Sequence, residues 1–446
     1  MSFIDRDIEE ICVSRLKLPL ILALIGPRQV GKSTLLNRIK GNSALLGIAE
    51  KDTSFYFSMD DALLRAEVKK DFRYLEKEIG RTLGRELKEE KRKVLVIIDE
   101  VQKTPEIFDW LKLVFDTCPK TLKLVVCGSS SLQLKKHSVE SLAGRISFVK
   151  MFPLSIRELI TFETGAVPGI PLWLSLPETN PESFFRERQA VVYREKNLLE
   201  KLLEHIMLTG TLPGIYTTEK TSDKQVMLQS LINTYLEKDI RGQGEVGSLD
   251  DYTNLLKTLS YELGSTFNVA SLSRDLGIAA NTVKKYISIL RDTFVLNVLP
   301  SLQSSKRKQF VKNSKMYFYD TGIANALAKR SEPEHLRQSG GFIFENLLIN
   351  SFEAENENRG IPGEKYFFRD YEDREIDFVF PAKNKALLPV EIYSGKVFPK
   401  EKVKNFRAFF ETFETAPYGL LIYTGEYAKI SISGKEVHML PWYIWR

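Results

Sequence analysis

LILALIGPRQVGKSTLLNRI, Leu20 to Ile39, is the stretch from which the fold can be read. Its opening apolar run reads as a strand buried on both faces, and the apolar positions after Ser33 return at helical spacing. Between them, Gly26 to Ser33 spells G-x-x-x-x-G-K-S. A strand before and a helix after separate a working phosphate loop from an ordinary glycine turn. The glycines let the backbone curl until successive N–H groups and the helix N-terminus point at phosphate oxygens. Gly26, Pro27, Arg28, Gln29, Val30, Gly31, Lys32, Ser33 and Thr34 are therefore the candidate nucleotide-binding residues. Lys32 is expected to reach the β- and γ-phosphates of ATP, and Ser33 to reach Mg²⁺.

A second apolar run, VLVIIDEV (Val94 to Val101), ends in adjacent acids. At the carboxyl end of a buried strand, Asp99 can hold the metal through water while Glu100 orients or deprotonates the attacking water. The competing reading has both acids merely capping the helix that follows. SFYFSMDD (Ser54 to Asp61), LKLVVCGSS (Leu122 to Ser130) and ISFVKMF (Ile146 to Phe152) bring the expected strands to five. Their alternation with helical segments predicts an α/β domain: a mainly parallel sheet, covered on both faces, with ligand at the carboxyl ends. The charged helical stretch Ala62 to Lys93 reads as a solvated face.

The totals agree with several folded domains. A chain of 446 residues exceeds one ordinary core, and 43% hydrophobic against 27% charged residues is normal for a globular protein. The start, MSFIDRDIEE, carries acids where a signal peptide needs cations, and Leu20 to Ile25 is too short to span a bilayer, so a cytoplasmic protein without a membrane partner is expected. Cys12, Cys118 and Cys127 are an odd, widely spaced set and there are four scattered histidines, which argues against a disulfide framework or structural zinc. A formal charge of +6 permits a nucleic-acid partner without requiring one.

GPRQVGKST, IIDEVQK, the strand ending CGSSS, SLAGR and FPLSIREL, in that order, resemble the bacterial and archaeal AAA-type ATPases that carry a nuclease-like carboxyl-terminal domain of unknown function. The resemblance implies a P-loop NTPase core of the AAA/ASCE type binding ATP and Mg²⁺. It also implies that Ser129 is a sensor touching the γ-phosphate or the attacking water, and that Arg145 is an arginine finger. A structural ion pair is the alternative for Arg145, and action within its own subunit or on a neighbour in a homo-oligomer stays open.

Beyond the core, prolines at 168, 171, 177 and 181 exclude a regular helix, and Glu187 to Ile240 reads as a helical lid broken at TGTLPGIY. EKDIRG and the glycine-proline turn of Gly210 to Ile215 also fit the family. Phe267 to Leu296 has a helix-turn-helix pattern turning at Gly277, its second helix starting near Asn281, with Asn281 or a neighbour as cap and Lys284 and Lys285 projecting. SKRKQFVKNSK, Ser305 to Lys315, follows with five cations and no acid, as a wing on phosphates would. DNA is one candidate partner of this winged-helix module; protein contact is the other. In YFYDTGI, Asp320 and Thr321 read as structural helix-start residues.

The tail runs helix, three strands, helix, strand, an order that resembles the restriction-endonuclease-like PD-(D/E)xK core. In that match Glu345 lies on the first helix, Asp377 on the second strand and Glu391 on the third, a candidate second Mg²⁺ site. The position that is lysine in active members is Tyr393, a phenol that stays neutral, while Lys396 would face away on a continuing strand. A non-cutting tail is the preferred reading; an ATP-controlled nuclease and a nucleotide-gated switch are the alternatives. The expected divisions are 1–160 for the ATPase core, 161–250 for loop and lid, 251–315 for the winged helix and 316–446 for the tail.

Overall fold

Five strands make the first sheet: β1 (Ile21–Ile25), β2 (Ser54–Ser58), β3 (Val94–Asp99), β4 (Leu122–Gly128) and β5 (Ile146–Lys150). All pair in parallel, in the order β2-β3-β4-β1-β5. β1 and β3 are buried at every residue, which is why their sequences are unbroken apolar runs up to the first functional position. Because all five strands run one way, Ile25, Asp99 and Gly128 finish on the same rim, and the helix Lys32–Gly41 starts there. The parallel α/β core expected from the sequence is what the chain forms.

This computed structural model describes residues 3–118, 121–129, 142–166, 181–192, 195–234, 247–302, 314–360, 365–381 and 386–445. EKDIRG, most of the proline-rich stretch and the wing cations Lys306, Arg307, Lys308 and Lys312 lie outside the described residues.

Helices Lys196–Thr209, Pro213–Tyr216 and Thr221–Thr234 occupy the segment expected as a helical lid. The lid is tied to the carboxyl-terminal half through the DTG segment. Asp320 caps the helix Thr321–Leu327 by accepting from the Ile323 N–H at 3.1 Å, and its other oxygen accepts from the Thr211 and Leu212 N–H groups at 2.7 and 3.2 Å. A side chain at Gly210 would collide with that carboxylate, since its Cβ would lie 2.2 Å from Asp320 Oδ1. Burial pushes Asp320 up to about 6 even against the N–H donors of Thr211, Ile323, Gly322 and Leu212.

Three helices follow, Leu249–Tyr261, Val269–Leu276 and Ala280–Asp292, then a hairpin of β6 (Leu296–Leu299) and β7 (Lys315–Phe318). The turn between the last two helices uses Gly277 at φ +68°. Its cap differs from expectation: Asn268 caps the first helix, whereas the second starts from Ala279 without a side-chain cap and Asn281 lies inside it. Lys284 and Lys285 are exposed, as expected, but Lys315 is buried. β7 also runs past the expected division at 315/316.

A six-stranded sheet closes the chain, in the order β12-β13-β11-β10-β9-β8. Its strands are β8 (Tyr366–Arg369), β9 (Glu375–Pro381), β10 (Leu387–Tyr393), β11 (Gly419–Tyr423), β12 (Ala428–Ile432) and β13 (Lys435–Pro441). The expected helix, three strands, helix, strand order is present, with the β12–β13 hairpin as an addition. The long helix Leu336–Asn358 packs on β10 and reaches the first sheet, where Glu357 accepts from the Lys150 N–H at 2.8 Å and Ser351 from that of Ile156 at 2.9 Å. No described helix is long and apolar enough to cross a membrane.

Candidate active site and a second acid cluster

At the carboxyl rim of the first sheet the loop after β1 closes against β5. A Cβ at Gly26 would stand 2.3 Å from the Met151 carbonyl oxygen, so only glycine fits this approach. Gly31 and Gln29 adopt φ of +96° and +58°, which turns the intervening backbone into the curl that a phosphate loop needs. Lys32 is buried, and its ammonium donates to the loop's own carbonyls, Gly26 at 2.9 Å and Pro27 at 2.7 Å. Burial holds its pKa below the usual lysine value, with Cys127, Glu100 and Asp99 pulling the other way. Arg6, from the amino-terminal segment, donates to the Val30 carbonyl at 2.9 Å and braces the loop from behind.

Ser33 and Asp99, assigned to the metal from separate motifs, meet here: the Ser33 hydroxyl donates to Asp99 Oδ2 at 2.7 Å. Tyr56 from β2 donates to the same oxygen at 2.5 Å, while the Cys127 thiol and the Glu100 N–H donate to the other. Burial disfavours the charged form of Asp99, but the Cys127, Ser33 and Tyr56 donors outweigh it and hold the carboxyl below its usual range. A hydroxyl and an anionic carboxylate in contact are the hard oxygens that Mg²⁺ accepts beside nucleotide phosphates, so the donor set fits that ion. Tyr56 and Cys127 belong to neither motif, and their part in this site is visible only in the folded chain.

Glu100 stands at φ +52°, a conformation non-glycine residues seldom adopt and one that recurs at functional positions. Neither acid caps the turn Val101–Lys103 through its side chain. The Glu100 carboxylate instead faces the rim, accepting from the Gln102 amide at 2.5 Å and from the Ser129 hydroxyl at 3.4 Å. Ser129, expected as a sensor, thus lies buried just past β4 and against Glu100.

Arg145 is not in this group. It precedes β5 beside the start of β1, at the amino end of the parallel sheet, where it pairs with Asp116 at 2.9 Å. Within one chain it cannot serve the rim where Lys32 lies.

Beside the loop is a cleft of about 250 Å³ lined by Phe3, Ile4, Gly31, Thr34, Pro213 and Thr217 among others. Its apolar walls and its position next to Gly31 and Thr34 suit a nucleoside. Phe3 carries no local motif signal, and Pro213, within the glycine-proline turn, gives no sign of the wall, which exists only once the amino terminus and that turn meet.

The tail's three acids also come close to one another, though around ammonium groups. Lys315 Nζ lies 2.8 Å from Glu345, 2.6 Å from Glu375 and 3.2 Å from Asp377. Lys402 Nζ lies 2.5 Å from Glu391 and 3.2 Å from Asp377. Among the described residues, no group of three or more His, Cys, Asp or Glu is arranged to hold a metal ion. The three acids expected at a second Mg²⁺ site thus face lysine ammonium groups. Lys396 does not contribute; it pairs with Glu200 of the lid at 3.5 Å. Burial works against the charge on Asp377, yet Lys402 and Lys315 hold its carboxyl far below the usual range, while burial pushes Glu391 well up.

Comparison with known proteins gives three family matches along the chain. Residues 19–160 match the AAA domain family, 200–334 a domain of unknown function (DUF8612) and 340–445 another (DUF4143). An uncharacterized protein of Methanocaldococcus jannaschii is 22% identical over the full chain and 96% of its own length. One of Mycobacterium tuberculosis is 25% identical over 80% of this chain, which spans only 66% of that relative. Among solved structures, the Aeropyrum pernix ORC1 protein in complex with DNA covers 74% of this chain and 93% of its own, at 13% identity and a TM-score of 0.27, a likeness too slight to bear on function.

Proposed function

Since residues 19–160 are an AAA-type ATPase domain and 340–445 a DUF4143 tail, we propose that the protein hydrolyses ATP with Mg²⁺ at the first sheet's rim and couples turnover to recognition of a partner. Lys32 and the loop N–H groups would hold the phosphates, Ser33 and Asp99 the metal, and Glu100 the attacking water, with Ser129 beside it. Bound Mg²⁺ supplies charge neutralisation at the phosphates. The observation that carries this reading is the 2.7 Å contact between Ser33 and Asp99, two residues 66 positions apart that the motifs assign to one ion. Arg145, at the sheet's other end, would act on a neighbouring copy in a homo-oligomer. ATP turnover measured with Lys32→Ala and Glu100→Gln tests the assignment, and wild-type rates in either would sink it.

DNA is the partner favoured for the helix-turn-helix, on the exposed Lys284 and Lys285. Neutralising both should weaken duplex binding and lower its salt slope by about one for each phosphate no longer neutralised. No binding at low salt would remove DNA from this reading.

The tail is read as non-cutting. One observation favours the nuclease alternative: Lys402 sets an ammonium beside Asp377 and Glu391, where Tyr393 offers none. Plasmid incubated with Mg²⁺ or Mn²⁺ decides between them, since cleavage abolished by Asp377→Ala would establish the alternative.

A further inference from the structure

Lys315 opens β7, yet its side chain leaves the hairpin and ends inside the tail, 3% exposed. An ammonium has three donors. Here three carboxylates receive it, Glu345 from the long helix and Glu375 and Asp377 from β9, at 2.8, 2.6 and 3.2 Å. These are N–H···O lengths; Mg²⁺ would draw the same oxygens to about 2.1 Å in an octahedron. Other donors reach the cluster as well, the Tyr317 hydroxyl sharing Glu345 Oε1 with Lys315. Asp377 Oδ2 accepts from Lys402 and from the Ile392 N–H, at 3.2 and 2.9 Å. Glu391 accepts from Lys402 and from the Asn405 amide, at 2.5 and 2.9 Å, and Glu345 from the Tyr317 hydroxyl at 2.7 Å.

The neighbouring backbone makes room for this arrangement. Gly264, at φ +68°, passes so close that an added Cβ would lie 3.2 Å from Glu345 Oε1. Residues on either side of Lys315 are fastened too: Thr266 bridges to it on one side, and Asn346 of the long helix holds the Phe318 N–H at 2.8 Å on the other.

We propose that the Lys315 ammonium is the resident cation of the tail's acid cluster: it stands where a divalent metal would have to enter, and it pins the β6–β7 hairpin to the tail sheet. The cluster is thereby complete without metal, and a divalent ion can bind only when the lysine is gone. This goes beyond the non-cutting reading, which rests on Tyr393.

The test is Mn²⁺ binding to the nucleotide-free full chain, counted by loss of the free-ion paramagnetic resonance signal. Lys315→Met should bind one more Mn²⁺ per chain than wild type, and adding Asp377→Asn should remove it. Lys315→Gln keeps a hydrogen-bond donor without the charge and should gain the same ion should Lys315→Met fail to fold. Wild-type protein that binds Mn²⁺ at a site removed by Asp377→Asn overturns the proposal, as does a folded Lys315 variant that binds no more than wild type. Plasmid nicking scored in the same samples keeps the two ideas apart. A wild-type ion removed by Asp377→Asn without nicking defeats the Lys315 proposal alone, and wild-type nicking that Asp377→Asn abolishes, with no ion lost in that variant, defeats the non-cutting reading alone.

Discussion

Asp99 and Asp377 are both buried carboxylates on strands of an α/β sheet, and they are served by opposite kinds of donor. Asp99 accepts from two hydroxyls, a thiol and a backbone N–H, while the ammonium of nearby Lys32 is turned to the loop carbonyls. Asp377 accepts from two ammonium groups. Neutral donors satisfy the lone pairs of Asp99 directly, while the Lys32 ammonium offsets its charge only from a distance, so the first site can still gain from a cation. The second has its counter-charge built in. Two clusters that look alike as lists of acids thus differ in what they still lack.

The contrast breaks most easily at Glu100. Glu100→Gln should keep ATP bound while slowing hydrolysis by about 10²- to 10⁴-fold, the range for loss of a positioned general base, as read by single-turnover kinetics. Unchanged turnover would mean that Glu100 does not act on the attacking water. Next in size, Asp377→Ala should lose about 1.5–3 kcal/mol of stability in denaturant melts, because it takes one carboxylate from Lys315 and from Lys402 while each keeps another, and ATP turnover well below the melt stays at the wild-type level. A variant as stable as wild type would mean the lysines are not held as described.

A smaller effect concerns pH. Glu355, on the long helix, is buried, and neither of its carboxylate oxygens has a hydrogen-bond partner among the described residues. Burial pushes it up from 4.5 to about 8, against the pull of Arg157, with Asp7 adding to the rise and Arg188 and Arg359 opposing it. The folded state therefore holds this proton more tightly than the unfolded chain. Its stabilising contribution is full below the unfolded value and is lost as pH rises through about 8. Stability should fall by on the order of 1–3 kcal/mol between about pH 5 and 8. Glu355→Gln should flatten that slope, as followed by urea titrations at stepped pH; an equal slope in both proteins would assign it to other groups.

Legibility followed locality. The phosphate loop and the acids after β3 are contiguous patterns, and the backbone they require is written in the same few residues. The tail's strands and three acids could be read as well, because alternation and order are local. Lys315 and Lys402 could not be seen as partners, since their contacts span up to 62 positions and depend on how the hairpin docks. Lys402 does leave a faint mark: a cation in the first turn of a helix opposes the helix dipole and needs another reason to be there. Lys315 stands alone before the apolar run MYFY, and among neighbouring cations it reads as one more wing charge. The β12–β13 hairpin had a usable sign in Ser433-Gly434, whose φ values of +53° and +77° suit a tight hairpin turn.

The long helix Leu336–Asn358 has a mechanical consequence. Glu345 and Glu357 ride on one rod, about 18 Å apart at 1.5 Å per residue. Glu357 is fastened to Lys150, the last residue of β5, and Glu345 to the lysine cluster. A tilt of about 5° about the Glu357 end would swing Glu345 sideways by about 1.6 Å, enough to take a 2.8 Å contact out of hydrogen-bonding range. Met151, which follows Lys150 and packs against Gly26, sets that end of the rod beside the phosphate loop.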